Sequence, residues 1–333
     1  MKAAFRKAHA VELREIPVPD PGPCEIRLRV RACGVCGSDL LVKPERAAEA
    51  HAFGHEVAGR ITALGPCVAG LREGQEVALD SSTPCGRCDN CRNGRADLCT
   101  DPHSLWARQS FGFAEEMIAP AASAIPYAGL APHVACLQEP LGVAIDMVRA
   151  AEVVPGVNVL VMGAGPIGLM ATALARRAGA GRIAVSQGKD RVARRALALR
   201  FGADTLLDPD GGPLEQAAIG FPVDRVLVTA PPRALADAVR VAARGAIIAL
   251  IGISYGDDRR VAIDVNDLHF KKLQVRGAFL SPAFHGPLAL ALLRGGEVDG
   301  QALVSHRFRL DEVKKALDTA REDPGAVKVV VEP

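Results

Sequence analysis

The sequence predicts an α/β protein in two parts, a β-rich domain and a doubly wound parallel sheet, on three observations. Up to about residue 140, short segments alternate charged and apolar residues, as half-buried strands do: EIRLRVRAC (25–33), EVAGRITAL (56–64), QEVALD (75–80) and EEMIAP (115–120). From about residue 150, continuous apolar strand cores alternate with helical stretches: NVLVMGA then GPIGLMATALARRAGA, RIAVSQ then DRVARRALALRFGA, TLLD, RVLVTA then RALADAVRVAA, AIIALIGI and LQVRGAF. Such alternation implies parallel strands covered by helices on both faces. After Pro282 come two helical segments and a closing strand, VKVVVEP, too little for a domain of its own, so this tail is expected to return and complete the first part.

With 333 residues, two domains can each bury a core. The 40 basic and 38 acidic residues nearly cancel, at +2, leaving no basic stripe for nucleic acid. The apolar runs are too short to span a bilayer, and MKAAFRKAHAVELREI lacks the apolar core of a secretory leader, so no membrane association and a cytoplasmic location are expected. Thiols stay reduced there, which makes metal ligation and burial the better readings of nine cysteines.

The turn in VLVMGAGPIGLMATALA carries G-x-G-x-x-G as Gly163, Gly165 and Gly168, where a strand ends and a helix begins. Gly163 permits the tight turn, Gly165 the approach of backbone to a pyrophosphate, and Gly168 the close packing of helix on strand. Pro166 and Ile167 open the helix whose N-terminus faces the phosphates. At the end of the second strand, where an acidic residue would hold a ribose, stands Gln187, followed by Lys189, Asp190 and Arg191. A neutral amide beside Lys189 or Arg191 accommodates a 2′-phosphate, which favours NADP over NAD; Asp190 could still serve a ribose.

CGRCDNCRNGRADLC places Cys85, Cys88, Cys91 and Cys99 at C-x2-C-x2-C-x7-C, a spacing suited to a closed tetrahedral zinc site that staples a small lobe. The ferredoxin run would need its fourth cysteine sooner and a proline after it. A second set is scattered: Cys36 in GVCGSD, His55 and Glu56 in FGHE, and Glu139 in QEPLG. One thiolate, one imidazole and one carboxylate would leave a zinc ion with an open position. His51 and His55 do not make the H-E-x-x-H order of metalloproteases.

GVCGSD, GHEVAG, the four-cysteine lobe, EPLG and GAGPIG, in that order, resemble the zinc-containing medium-chain dehydrogenases, and most nearly the sorbitol/threonine dehydrogenase-like branch. The resemblance covers essentially the whole chain. It implies a GroES-like catalytic domain (1–142, with a structural-zinc lobe at about 80–102), a Rossmann NAD(P)-binding domain (143–280) and a C-terminal return (281–333). It further implies Cys36, His55 and Glu139 as catalytic zinc ligands, with Glu56 able to ligate instead, and Cys85, Cys88, Cys91 and Cys99 as structural ligands. By the same resemblance Ser38 meets the alcohol oxygen and takes or relays its proton, and Asp39 orients the ligand histidine. The implied activity is hydride transfer between NAD(P) and a secondary alcohol on a polyol, sugar, cyclitol or amino alcohol, in a homodimer or homotetramer with two zinc ions per chain.

The chain departs from that pattern in three ways. Leu41 stands where many relatives carry a proton-relay histidine, and only 18 residues separate Cys36 from His55. LLVKPERAAEAHAF is thus shorter than the usual connection lining the substrate mouth, where Trp106 and Phe111 are candidate walls. Cys33 reads as a buried apolar filler, which makes C-x-x-C at 33–36 a coincidence of spacing. Two alternatives remain open: a zinc-free reductase of the quinone-oxidoreductase type, against which Cys36, His55 and Glu139 argue together, and a non-catalytic zinc- and nucleotide-binding protein.

Overall fold

A computed structural model describes residues 1–41, 48–105, 110–214, 216–279 and 285–333. The chain divides into two compact units: Met1–Gly142 with Leu280–Asp323 and Lys328–Pro333, and Val143–Phe279 with Pro324–Val327.

In the first unit the strand Glu25–Gly34 does most of the organising. Its alternation buries Ile26, Leu28 and Val30 while Arg29 and Arg31 stay in solvent. Each such aliphatic side chain contributes about 1.5–3 kcal/mol through burial. The strand pairs antiparallel with Glu56–Leu64, Glu116–Pro120 and Lys328–Glu332, within a seven-stranded sheet. Register places Gly34 opposite both Glu56 and Val330, so the C-terminal tail lies beside the GVCGSD segment. A smaller sheet runs Ala10–Glu15, Lys2–Lys7, His51–Ala52, and a two-stranded ribbon joins Ser82–Thr83 to His103–Ser104 at the base of the four-cysteine lobe.

The second unit holds six parallel strands in the order Thr205–Leu207, Ile183–Ser186, Val159–Met162, Val223–Val228, Ala242–Leu250, Gln274–Gly277. The first strand in sequence, Val159–Met162, lies at the centre, and the order reverses there. That is the switch point at which doubly wound sheets bind nucleotides. All four of its residues are buried, as are Ile183–Ser186, and the core continues through Phe221, Val226 and Ile248. Pro166 at the first turn suits the helix Pro166–Arg177, since its missing N–H would have no partner there. No helix among the described residues is long and apolar enough to cross a membrane.

Candidate metal centres and nucleotide cavity

Cys85, Cys88, Cys91 and Cys99 converge until their sulfur atoms all lie within 4.8 Å of one another. Two backbone N–H groups point at sulfur: Cys85 donates to Cys99 Sγ at 3.2 Å and Cys88 to Cys85 Sγ at 3.4 Å. The short helical turns Asp89–Arg92 and Ala96–Leu98 bury no residue. Without apolar packing, the lobe is held by hydrogen bonds such as Asn90 Nδ2 to Leu98 O (2.6 Å) and by the sulfur cluster. Hydrogen bonds from the Cys91 and Thr100 backbone push Cys88 down to about 6, whereas burial and its thiol neighbours push Cys91 up to about 12. Four thiols so close cannot all ionise without a cation among them, and a dipositive soft ion fits that need.

The scattered set also converges. The 3₁₀ turn Gly37–Leu40 begins at Cys36, whose N–H donates to Asp39 Oδ2 at 2.9 Å. Metal-donor atoms of Cys36, His55 and Glu56 all lie within 4.8 Å of one another, and Glu139 is outside that group. Glu139, in the first turn of the helix Gln138–Ala150, instead accepts from Ser81 Oγ at 2.6 Å. Asp39 is buried, with Oδ1 3.8 Å from His55 Nδ1, longer than a hydrogen bond. Ser38 Oγ is buried and makes no hydrogen bond among the described residues. Burial alone would push His55 down, but its neighbours Cys36, Asp39 and Glu139 lift it to about 10. This is an anionic pocket that attracts positive charge.

One cation there has no signature in the sequence. Lys328, in the C-terminal strand, is 2% exposed; it pairs with Glu56 Oε2 and donates to the Val35 carbonyl at 2.9 Å. Gly34 makes room for the pair, because a Cβ there would lie 2.0 Å from Glu56 Oε2 and 2.9 Å from Lys328 Cε. Arg6 is a second unforeseen support: it is buried, donates to the Asp39 carbonyl and stacks 5.0 Å over Phe53.

Cys33 is fully buried and belongs to neither sulfur group. Phe111 packs edge-on against Phe5 at 6.1 Å, beside Ala3, Ala52 and Ala114, so it joins a core cluster of the first unit. Trp106 and residues 42–47 of the short connection lie outside the described residues.

Beside Glu139, Gln138 Nε2 donates to Asp80 Oδ1 at 2.8 Å. Burial, and then the charge of Glu139, push Asp80 up to about 7 despite that hydrogen bond. The folded chain therefore holds this proton more tightly than the unfolded chain does. The resulting stability is fully present below the ordinary value of 3.8 and is lost as pH rises through about 7. Asp80→Asn keeps an acceptor for Gln138 and removes the charge. Urea unfolding should find the variant more stable than the parent by a few kcal/mol at about pH 8, with the gain gone near pH 4. A difference that does not change with pH would contradict this reading.

In the second unit a cavity of about 520 Å³ opens at the switch point, lined by Gly163, Gly165, Gln187, Arg191, Arg194 and Arg233 among others. Gly163 has φ +97°, and a Cβ on Gly168 would lie 1.9 Å from the Gly163 carbonyl oxygen. Each glycine is thus required, the first for conformation and the third for contact. Gln187 Oε1 accepts from the Ala164 N–H at 2.9 Å, tying the second strand to the turn. Lys189 turns away: it is 78% exposed, pairs with Asp208 at 3.3 Å and is absent from the cavity wall. Arg191 lines the cavity, with Nε 3.4 Å from Asp190.

The fold and the two donor clusters define a class, the zinc-binding dehydrogenases. Residues 22–129 match the alcohol dehydrogenase GroES-like domain and residues 166–292 the zinc-binding dehydrogenase domain. L-threonine 3-dehydrogenase of Pyrococcus abyssi is 31% identical over 95% of this chain and 93% of its own. That of Bacillus velezensis is 32% identical over 97% and 96%. Among solved structures, a short chain alcohol dehydrogenase (rspB) from E. coli CFT073, complexed with NADH, superposes with a TM-score of 0.90 at 27% identity, covering 100% of this chain and 99% of that one. A zinc-binding dehydrogenase from Sinorhizobium meliloti 1021 bound to NADP gives 0.86 at 28%, covering 100% and 99%. The chain belongs to the zinc-containing medium-chain alcohol dehydrogenase family, and it is an oxidoreductase.

Proposed function

We propose that the protein is a zinc-dependent dehydrogenase that moves hydride between NADP or NAD and a secondary alcohol on a polyol, sugar, cyclitol or amino alcohol. The observation that carries this reading is the convergence of Cys36, His55 and Glu56, with Ser38, two residues after Cys36, holding a buried hydroxyl that makes no hydrogen bond among the described residues. Sulfur, nitrogen and carboxylate oxygen are a zinc donor set that leaves a position open. Cys36, His55 and Glu56 or Glu139 would hold the catalytic ion, and Cys85, Cys88, Cys91 and Cys99 the structural one. When bound, zinc supplies a Lewis acid for the alcohol or carbonyl oxygen, and the nicotinamide supplies the hydride acceptor or donor.

The chain's own residues do the rest. Ser38 offers its hydroxyl to the substrate oxygen and takes or relays the proton, the path beyond it lacking a histidine at Leu41. Asp39 fixes the Cys36 backbone, and Ser81 fixes Glu139. Gly163, Gly165, Pro166, Ile167 and Gly168 cradle the pyrophosphate, and Gln187 braces that turn. Arg191, joined by Arg194 and Arg233 on the same cavity wall, favours a 2′-phosphate; Lys189, paired with Asp208, contributes little. A panel of alcohols and polyols assayed with each cofactor separately tests this, with NADP giving the higher kcat/KM. A clear NAD preference would refute the role given to Arg191.

The same reading carries a homodimer or homotetramer and a cytoplasmic setting, where the thiols of the lobe stay reduced. Among the described residues the strand Gln274–Gly277 ends the six-stranded sheet and is paired on one side, with Val275 42% exposed. Such an edge invites pairing with a second copy. Light scattering should give at least twice the chain mass of 34.9 kDa, and a monomeric mass would contradict the proposal.

A further inference from the structure

Two cysteines used by neither donor cluster stand together on the surface. Cys24 precedes the strand Glu25–Gly34 and Cys67 follows Glu56–Leu64, antiparallel neighbours with Ile26 opposite Leu64. The pairing continues past the strand ends: Gly65 N–H donates to the Glu25 carbonyl and Cys67 N–H to the Pro23 carbonyl, both at 2.9 Å. Gly65 allows so close an approach, since a Cβ there would lie 2.1 Å from the Gly22 carbonyl oxygen and 2.5 Å from that of Pro23. From the other side, Ala121 N–H holds the Cys24 carbonyl at 3.0 Å. Both residues are exposed, and the Cys67 thiol lies close enough to push the Cys24 thiol up from its ordinary value. Cys33 and Cys136, by contrast, are buried.

We propose that Cys24 and Cys67 form a reversible disulfide site, a surface dithiol that closes when it meets a small-molecule disulfide. The thiolate of one cysteine attacks the small disulfide, whose S–S bond breaks to release one thiol and leave a mixed disulfide on the protein. The thiolate of the other attacks that mixed disulfide, forming the Cys24–Cys67 bond and releasing the second thiol. Two protein thiols are oxidised, one small disulfide is reduced to two thiols, and the two protein protons pass to the leaving thiolates. Both cysteines sit in turns beyond the strand ends, and the hydrogen bond from Cys67 N–H to the Pro23 carbonyl holds those turns together, which keeps the second thiol beside the first, so ring closure outruns accumulation of the mixed disulfide. The bond closes a loop that contains Cys36, His55 and Glu56, and cross-linking a long loop restricts the unfolded chain.

The test exposes the purified, metal-replete protein to oxidised glutathione, alkylates the remaining thiols and maps the peptides by mass. The expected product has lost two hydrogen atoms per chain, carries a peptide cross-link between Cys24 and Cys67, retains no glutathione and melts several degrees higher. Dithiothreitol should reverse every one of these changes. Cys24→Ser and Cys67→Ser should each lose the cross-link and keep one glutathione on the remaining cysteine, which also shows that each variant folds with that thiol accessible. Stable glutathione on both cysteines of the parent protein, or failure of both to react, would overturn the proposal.

Discussion

Cys36→Ser is expected to lower kcat/KM by on the order of 10³-fold or more while leaving the melting temperature close to that of the parent. A Lewis acid is worth several kcal/mol at the transition state, and each 1.4 kcal/mol is about a factor of ten. Serine retains the backbone N–H that Asp39 accepts from, so the 3₁₀ turn after residue 36 should persist. Cys88→Ser is the informative contrast. The lobe around it has no buried residue in either helical turn, so its folding rests on the sulfur cluster, and the variant should lose stability before it loses chemistry. Circular dichroism melts run beside steady-state rates check both. A Cys36→Ser protein with near-parental turnover would remove Cys36 from the site.

Lys328→Met carries the second large effect, on stability. The methionine fills a similar volume, but Glu56, 1% exposed, loses the ammonium that neutralises it, and the Val35 carbonyl loses its donor. Removing one partner of a buried ion pair typically costs about 3–5 kcal/mol, most of it from the charge left behind. The double variant Lys328→Met with Glu56→Gln removes both charges and should recover most of that loss. Urea unfolding at neutral pH reads the comparison. A single variant within about 1 kcal/mol of the parent would mean the pair is not buried as described.

These two residues also mark how far the sequence could be read. Cys36 and His55 are each unremarkable alone; only their combination with a carboxylate, in motifs that resemble the zinc-containing dehydrogenases, singles them out in the sequence. Lys328 opens KVVVE, where a lysine reads as the solvated end of a strand. Only the tertiary pairing of that strand with Gly34 turns it inward, and no local period encodes that. Choosing between Glu56 and Glu139 was likewise beyond spacing, because it depends on which carboxylate Ser81 and Lys328 engage.

The second unit was more legible. Each of its strands is an apolar run set by its own residues, and the G-x-G-x-x-G turn fixes where the first one ends. Its cavity wall was read only in part. Gln187 occupies the expected strand end, but Lys189 is drawn off by Asp208, a residue of another strand's loop. Arg194 lies three residues beyond Arg191, a helical spacing that could have revealed it. Arg233 comes from a different βα connection and had no signal.

The central claim is that two separate donor clusters hold zinc and that one of them does the chemistry. Metal analysis of the purified protein, with Cys36→Ser in parallel, tests it most directly. Two zinc ions per parent chain and one per variant chain are predicted, with activity tracking the ion that the variant lacks. A fully active parent with one zinc per chain, held by Cys85, Cys88, Cys91 and Cys99, would contradict it.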